Sequence, residues 1–222
     1  MALTTIGLMA LLGCFTGFMA GLLGIGGGMI ITPFLIMLIP SSLIPHDHIV
    51  HVAIATSLAT IAFTSLSSVR AHHKRGAVLW NVVASVAPGI LVGAVVGAQI
   101  AGWLPTFWLS LIFAAFVGFS AFKMFLNKSP RPDRNLPGTI GKFFMGIAIG
   151  ILSALVGAGG GFISVPWMIW CNVKMQNAVA TSAAFGFPIA LFGTIGYIIS
   201  GWNVSGLPPW PIDLGYICIP AL

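Results

Sequence analysis

Gly21-Leu22-Leu23-Gly24-Ile25-Gly26-Gly27-Gly28-Met29-Ile30-Ile31-Thr32-Pro33 is answered, from Gly24 onward, by Gly157-Ala158-Gly159-Gly160-Gly161-Phe162-Ile163-Ser164-Val165-Pro166, at an offset of 133 residues. Glycine is common in membrane helices because it lets backbones approach closely, and that alone would explain one such run. It does not explain two Gly-x-Gly-Gly-Gly runs that each reach a proline five residues later. Downstream, Ala53-Ile54-Ala55-Thr56-Ser57 corresponds to Ala178-Val179-Ala180-Thr181-Ser182 at an offset of 125, so the first copy carries eight extra residues in between. A glycine follows each threonine by 20 residues, Gly76 and Gly201. Three landmarks in one order make the chain an internal duplication.

Around this repeat the composition leaves one class of fold. Only 5% of the 222 residues are charged and 58% are hydrophobic, whereas a soluble domain carries about 25% charged residues. The mean hydropathy is +1.07. Residues 1–46, 48–69, 76–122, 143–173, 175–212 and 214–222 contain no Lys, Arg, Asp or Glu. A spanning helix needs about 20 mostly apolar residues, and most of these stretches can hold one. The fold class expected is an all-α polytopic membrane protein in which each copy has a Gly-broken helix or re-entrant hairpin followed by transmembrane helices. The net charge of +6 does not indicate nucleic acid, because the nine basic residues fall in short loops between apolar segments, where membrane topology explains them. No Lys or Arg precedes Arg70, so the N-terminus lacks the basic region of a signal peptide and reads as a mature membrane segment. Cys14, Cys171 and Cys218 are scattered in apolar surroundings and read as small buried hydrophobes rather than a disulfide or metal set.

The duplication divides the chain into a first membrane repeat (1–127), a cytoplasmic linker (128–137) and a second membrane repeat (138–222). After Gly76 the first copy continues through apolar segments at roughly 78–101 and 106–127, whereas 21 residues follow Gly201. The second copy is therefore expected to fall short of the first by at least one helix. Arg70, His72, His73, Lys74 and Arg75 form one basic group, and Lys123, Lys128, Arg131, Arg134 and Lys142 another. Both are expected on the cytoplasmic side. The uncharged turn near 101–106 between them is flanked by Trp103 and Trp108, as in an interfacial aromatic belt. The helix from about Val50 to Val69 then runs inward, while its counterpart, about Ala178 to Ser200, starts near Lys174 and runs outward. The copies are expected to be inverted across the membrane, as in many secondary transporters. Pro33 to Leu43 is 11 residues and Pro166 to Val173 is 8; at 1.5 Å per residue neither crosses a core of about 30 Å, which favours hairpins.

The glycine runs cannot be stable helix interiors, since each Gly costs about 0.8–1 kcal/mol relative to Ala. A break inside the bilayer is tolerated only where protein buries it or water reaches it. Pro33 and Pro166 then suit the first turn of a restarting helix, with Thr32 able to cap the first. Free N–H groups and the positive end of the helix dipole attract anions. The substrate-binding candidates are Gly26, Gly27 and Gly28 with Thr56 and Ser57 in the first copy, and Gly159, Gly160 and Gly161 with Thr181 and Ser182 in the second. Those hydroxyls can donate to an anion's oxygens or bond carbonyls of their own helices. There is no Glu, and Asp47, Asp133 and Asp213 lie near predicted segment ends, so a carboxylate cage for a cation or a buried proton relay has no candidates. His46, Asp47, His48 and His51 fall in the extra stretch of the first copy and read as an outer loop or outside gate rather than a metal site. No Ser–His or Asp–Asp pair with catalytic spacing lies within a span. No enzymatic activity, metal or cofactor is expected.

The doubled Gly-Leu-Leu-Gly-Ile-Gly-Gly-Gly…Pro segment at 21–33 and its copy at 157–166, with Ala-Thr-Ser and the later Arg-Gly or Gly-Trp, resemble the sulfite exporter TauE/SafE family, also called toluene sulfonate uptake permeases. The resemblance implies a multi-pass carrier of a bacterial-type inner (plasma) membrane that moves sulfite, sulfonates, sulfoacetate or similar organic anions, often outward. The partners expected are the lipid bilayer and a small anionic substrate, with no nucleic acid; a homo-oligomer is compatible with the sequence. The mechanism expected is alternating access around a midplane anion site, and the alternative is an anion-selective channel built from the same helix ends.

Overall fold

The structure, a computed structural model, describes residues 28–38, 44–125, 136–202, 204 and 213–219, together with isolated positions between 7 and 18. Among these residues the chain forms α1 (Gly28–Leu38), α2 (Ile49–Lys74), α3 (Trp80–Trp103), α4 (Thr106–Phe125), α5 (Thr139–Val156), α6 (Gly161–Trp170) and α7 (Met175–Gly201). A two-stranded hairpin follows, β1 (Asp213–Leu214) and β2 (Ile217–Cys218). Four helices, α2, α3, α5 and α7, are long and apolar enough to cross a membrane. The protein is thus an all-α polytopic membrane protein. The extra stretch of the first copy is only partly loop: His48 caps α2, and His51 lies in its first turn at 2% exposure.

Side-chain packing fixes the helix directions. Leu58 packs on Gly193 and Ser65 on Gly186, so α2 and α7 run antiparallel. Residue Gly89 of α3 rests on Phe143 and Gly97 on Ile151 and Ala154, so α3 and α5 run parallel. In the same way Ala98 meets Gly196 and Gly102 meets Ser200, which makes α3 and α7 parallel. The α3–α5 seam is the tightest: Gly89, Gly93 and Gly97 face Gly146 and Gly150, and a methyl on Gly150 would lie 2.6 Å from the carbonyl oxygen of Ile90. In lipid, where apolar burial drives little association, such close backbone contact is what holds helices together.

Helix α6 has Gly160 against Ile189 and Ser164 against Ser182, so it runs back along α7. With α5 parallel to α3 and α7, the pair α5–α6 is a hairpin whose tip is residues 157–160. Its returning arm has 10 residues, about 15 Å, half a hydrocarbon core. The counterpart α1 has 11 residues.

Three expectations are corrected. The helix α6 begins at Gly161, so Pro166 is its sixth residue, and Pro33 likewise lies five residues past Gly28 inside α1, so neither is a member of the first turn. Glycine itself accepts helical geometry once the turn is made, and the proline instead deletes one internal hydrogen bond of a short helix. Thr32 does not cap; its hydroxyl donates back to Gly28 O at 2.8 Å, four residues earlier. The cysteines are not uniformly buried either: Cys218 is buried, Cys171 half-buried and Cys14 exposed.

Basic side chains sort to one end. Among the described side chains, all Lys and Arg lie at the end defined by the last turns of α2 and the first turns of α5 and α7: Arg70, Lys74, Arg75, Lys142 and Lys174. Exposed Trp103, Trp108 and Trp202 mark the other end. Phe107, Phe119, Phe122, Ile140 and Phe144 stay exposed along α4 and α5, a surface suited to acyl chains.

Candidate functional site

At the tip of the second hairpin, Gly157 adopts φ 68° and the Ala158 N–H donates to Ser153 O at 3.0 Å, closing α5 in a Schellman motif. Gly160, at φ 78°, caps α6, and its carbonyl accepts the N–H groups of Ile163 at 3.2 Å and Ser164 at 3.0 Å. Left-handed backbone at both positions is why the sequence uses glycine there. Residues 157–161 are all buried. Of the first-copy candidates, Gly28 is the first described residue of α1, the sequence position equivalent to Gly161 at the start of α6. Gly26 and Gly27 lie outside the described residues.

The two motifs meet directly. A Cβ on Gly28 would collide with the carbonyl oxygen of Gly157. Ser57 sits at this contact with its hydroxyl 3.1 Å from Gly157 O and 3.4 Å from Gly28 O, donating across the two copies. Thr56 Oγ1 accepts the Cys218 N–H at 3.0 Å, and its repeat partner Thr181 accepts the Leu79 N–H at 3.0 Å. Each threonine thus anchors a backbone segment of the other copy, and as an acceptor each keeps its hydroxyl hydrogen. Ser164 Oγ donates to Gly160 O at 2.9 Å and pairs with Ser182 Oγ at 2.9 Å. All four predicted hydroxyls are buried. Among the described residues none of them bonds a carbonyl of its own helix; they bridge segments instead.

A second polar cluster lies near the Trp-rich end. His51 Nε2 donates to Ala101 O at 2.9 Å and Leu104 O at 3.0 Å, which fixes the tautomer at that nitrogen. Its ring stacks on Tyr216 with centroids 5.1 Å apart, and His48 packs beside both. Burial pushes the Tyr216 phenol up from its ordinary value, so it stays neutral. Sequence reasoning had no means to bring the hairpin to α2, because the pairing crosses most of the chain. It also passed over Ser153, at 1% exposure, whose Oγ lies at the tip of the hairpin with no hydrogen-bond partner among the described residues.

A buried helix break at residues 157–160, lined by hydroxyls and backbone amides and enclosed by apolar spans, fits an integral membrane protein of the transporter class. A sequence model described as "Sulfite exporter TauE/SafE" matches residues 9–222, and the chain belongs to that family. A protein of Haemophilus influenzae described as a probable membrane transporter protein is 34% identical over 220 residues, covering 99% of this chain and 83% of that one. A probable membrane transporter protein of Bacillus subtilis is 30% identical over 194 residues, with 84% of this chain and 76% of that protein covered. One from Methanocaldococcus jannaschii is 28% identical over 221 residues, covering 96% and 78%. No solved structure matches the chain.

Proposed function

We propose that the protein is a secondary transporter of small sulfur-containing or organic anions, of the sulfite, sulfonate or sulfoacetate kind. In this reading it moves them out of the cell across the plasma membrane, by alternating access around a site at the paired helix breaks. The observation that carries the reading is the start of α6. Among the described residues the N–H groups of Gly159, Gly160, Gly161 and Phe162 make no hydrogen bond, and they stand at the positive end of a helix beside buried hydroxyls. Amides and hydroxyls hold an anion without burying a fixed cation in lipid.

The two copies are taken to be inverted in the bilayer. Supporting this are the antiparallel α2 and α7, whose contacts Leu58–Gly193 and Ser65–Gly186 share one register, and the reciprocal threonine bonds. The segregation of Lys and Arg to one end supports a cytoplasmic placement of that end.

Purified protein in liposomes loaded with sulfite tests the reading. Saturable efflux is expected, competed by sulfonates and insensitive to amino acids or cations. Gly160→Val, which fills a left-handed position, should abolish it while membrane insertion persists. Absence of competition by any anion would reject the function. Unsaturable flux with measurable current would make the protein a channel.

A further inference from the structure

Resting on that reading, we propose that the Ser153 hydroxyl is a side-chain ligand of the anion, with the first turn of α6 supplying amides; the first copy has no hydroxyl at the position equivalent to Ser153. Ser153 is 1% exposed, and its Oγ has no hydrogen-bond partner among the described residues. A buried hydroxyl in a helix normally donates to the carbonyl four residues back. The part-buried Thr60, Ser110 and Ser120 do so in this molecule, whereas Ser153, like Thr194, has no partner among the described residues.

Instead, Ser153 Oγ lies 3.5 Å from where a Cβ of Gly160 would stand, at the capping residue of α6. The N–H groups of Gly159 to Phe162 share that region and are likewise without partners among the described residues. An orphaned donor beside a set of orphaned donors, with no described Lys or Arg at this depth, fits a ligand that brings several acceptor oxygens and spreads one or two charges over them. Sulfite, sulfonate and carboxylate groups have that chemistry.

The asymmetry is written in the repeat. At the offset of 133, Ser153 corresponds to Ala20 and Ser164 to Ile31. The first copy has a break motif but no hydroxyl at either position. Ser164 is already committed to Gly160 O and Ser182, whereas Ser153, at the same tip, has no hydrogen-bond partner among the described residues.

Uptake of radiolabelled sulfite into proteoliposomes, measured over a range of concentrations on the full chain, separates the outcomes. Ser153→Ala is expected to raise KM by about one to two orders of magnitude, the equivalent of one lost hydrogen bond to an anion, with the maximal rate little changed. Ser153→Thr, which keeps the hydroxyl, should recover most of the affinity, and Ser67→Ala, on an exposed turn of α2, should be neutral. If Ser153→Ala inserts poorly, sulfite-induced thermal stabilisation in detergent is compared between the wild type and Ser153→Cys, which keeps the volume; loss of the shift is expected in Ser153→Cys. An unchanged KM, or a fall in rate at constant KM, overturns the ligand role while leaving anion transport intact. A wild-type protein with no saturable sulfite flux overturns the parent reading instead.

Discussion

Ser57 shows how a single hydroxyl can be read two ways. As a substrate ligand it would face a cavity; in the structure its hydrogen is directed at the carbonyls of Gly28 and Gly157 and joins the two copies. Removing it leaves buried carbonyl oxygens short of a donor, which costs about 1–2 kcal/mol. Ser57→Ala should therefore lower the midpoint of thermal unfolding in detergent by several degrees with little change in KM, whereas Ser153→Ala should do the reverse. Measuring both quantities on both variants separates a brace from a ligand. That Thr56, Ser57, Thr181 and Ser182 form a related set was legible from the repeat. Their partners were not, because the Leu79 and Cys218 amides lie 102 and 162 residues away from the threonines they bond, and a backbone donor leaves no mark on side-chain identity. Ser153 was legible only by asking where the copies differ rather than where they agree.

Among the elements, the seam of α3 and α5 carries a sharp contrast between glycines of similar sequence setting. Gly93 packs directly on the backbone of Ile147, whereas Gly118 of α4 has nothing within 4 Å of the place its Cβ would occupy. Gly93→Leu must drive the helices apart, a cost of at least about 1–3 kcal/mol for overpacking, and should leave little protein surviving detergent extraction. The same change at Gly118 should be neutral or slightly stabilising, since it adds side chain on an open face and removes a flexible residue from a helix. Monodispersity on size exclusion checks the pair; equal behaviour would mean the seam is not the structural axis. Span positions were readable from charge-free stretches, with α3 and α4 expected at 78–101 and 106–127 and found at Trp80–Trp103 and Thr106–Phe125. The proline placement was misread because proline is tolerated both at a helix start and at a kink, and only the left-handed Gly160 decides that α6 begins at Gly161.

At the scale of the whole molecule, the charge segregation and the antiparallel crossing of α2 and α7 make separate demands. If the basic end is cytoplasmic, a cysteine at Gly138 should react with an impermeant maleimide only in inverted vesicles, and one at Asp47 only in intact cells, in a background lacking Cys14, Cys171 and Cys218. The reverse pattern would turn the molecule over without touching its fold. The crossing makes the mechanistic demand. Alternating access requires one copy to move against the other, and α2 with α7 is one of the long-helix contacts between the copies, beside those of α3 with α5 and α7. At Ser65 and Gly186 the Cβ of the first lies 3.4 Å from where a Cβ of the second would stand, close to the separation a disulfide needs. The Ser65→Cys, Gly186→Cys double variant should therefore cross-link under mild oxidation without distorting the fold. In a rocking carrier the oxidised form should lose transport by more than about tenfold and regain it on reduction, while sulfite binding persists in whichever state is trapped. A channel needs no such relative movement, because its helix ends can conduct in one arrangement. Full flux through the cross-linked protein would place the motion elsewhere or remove the need for it, and current across a bilayer would then decide between those two.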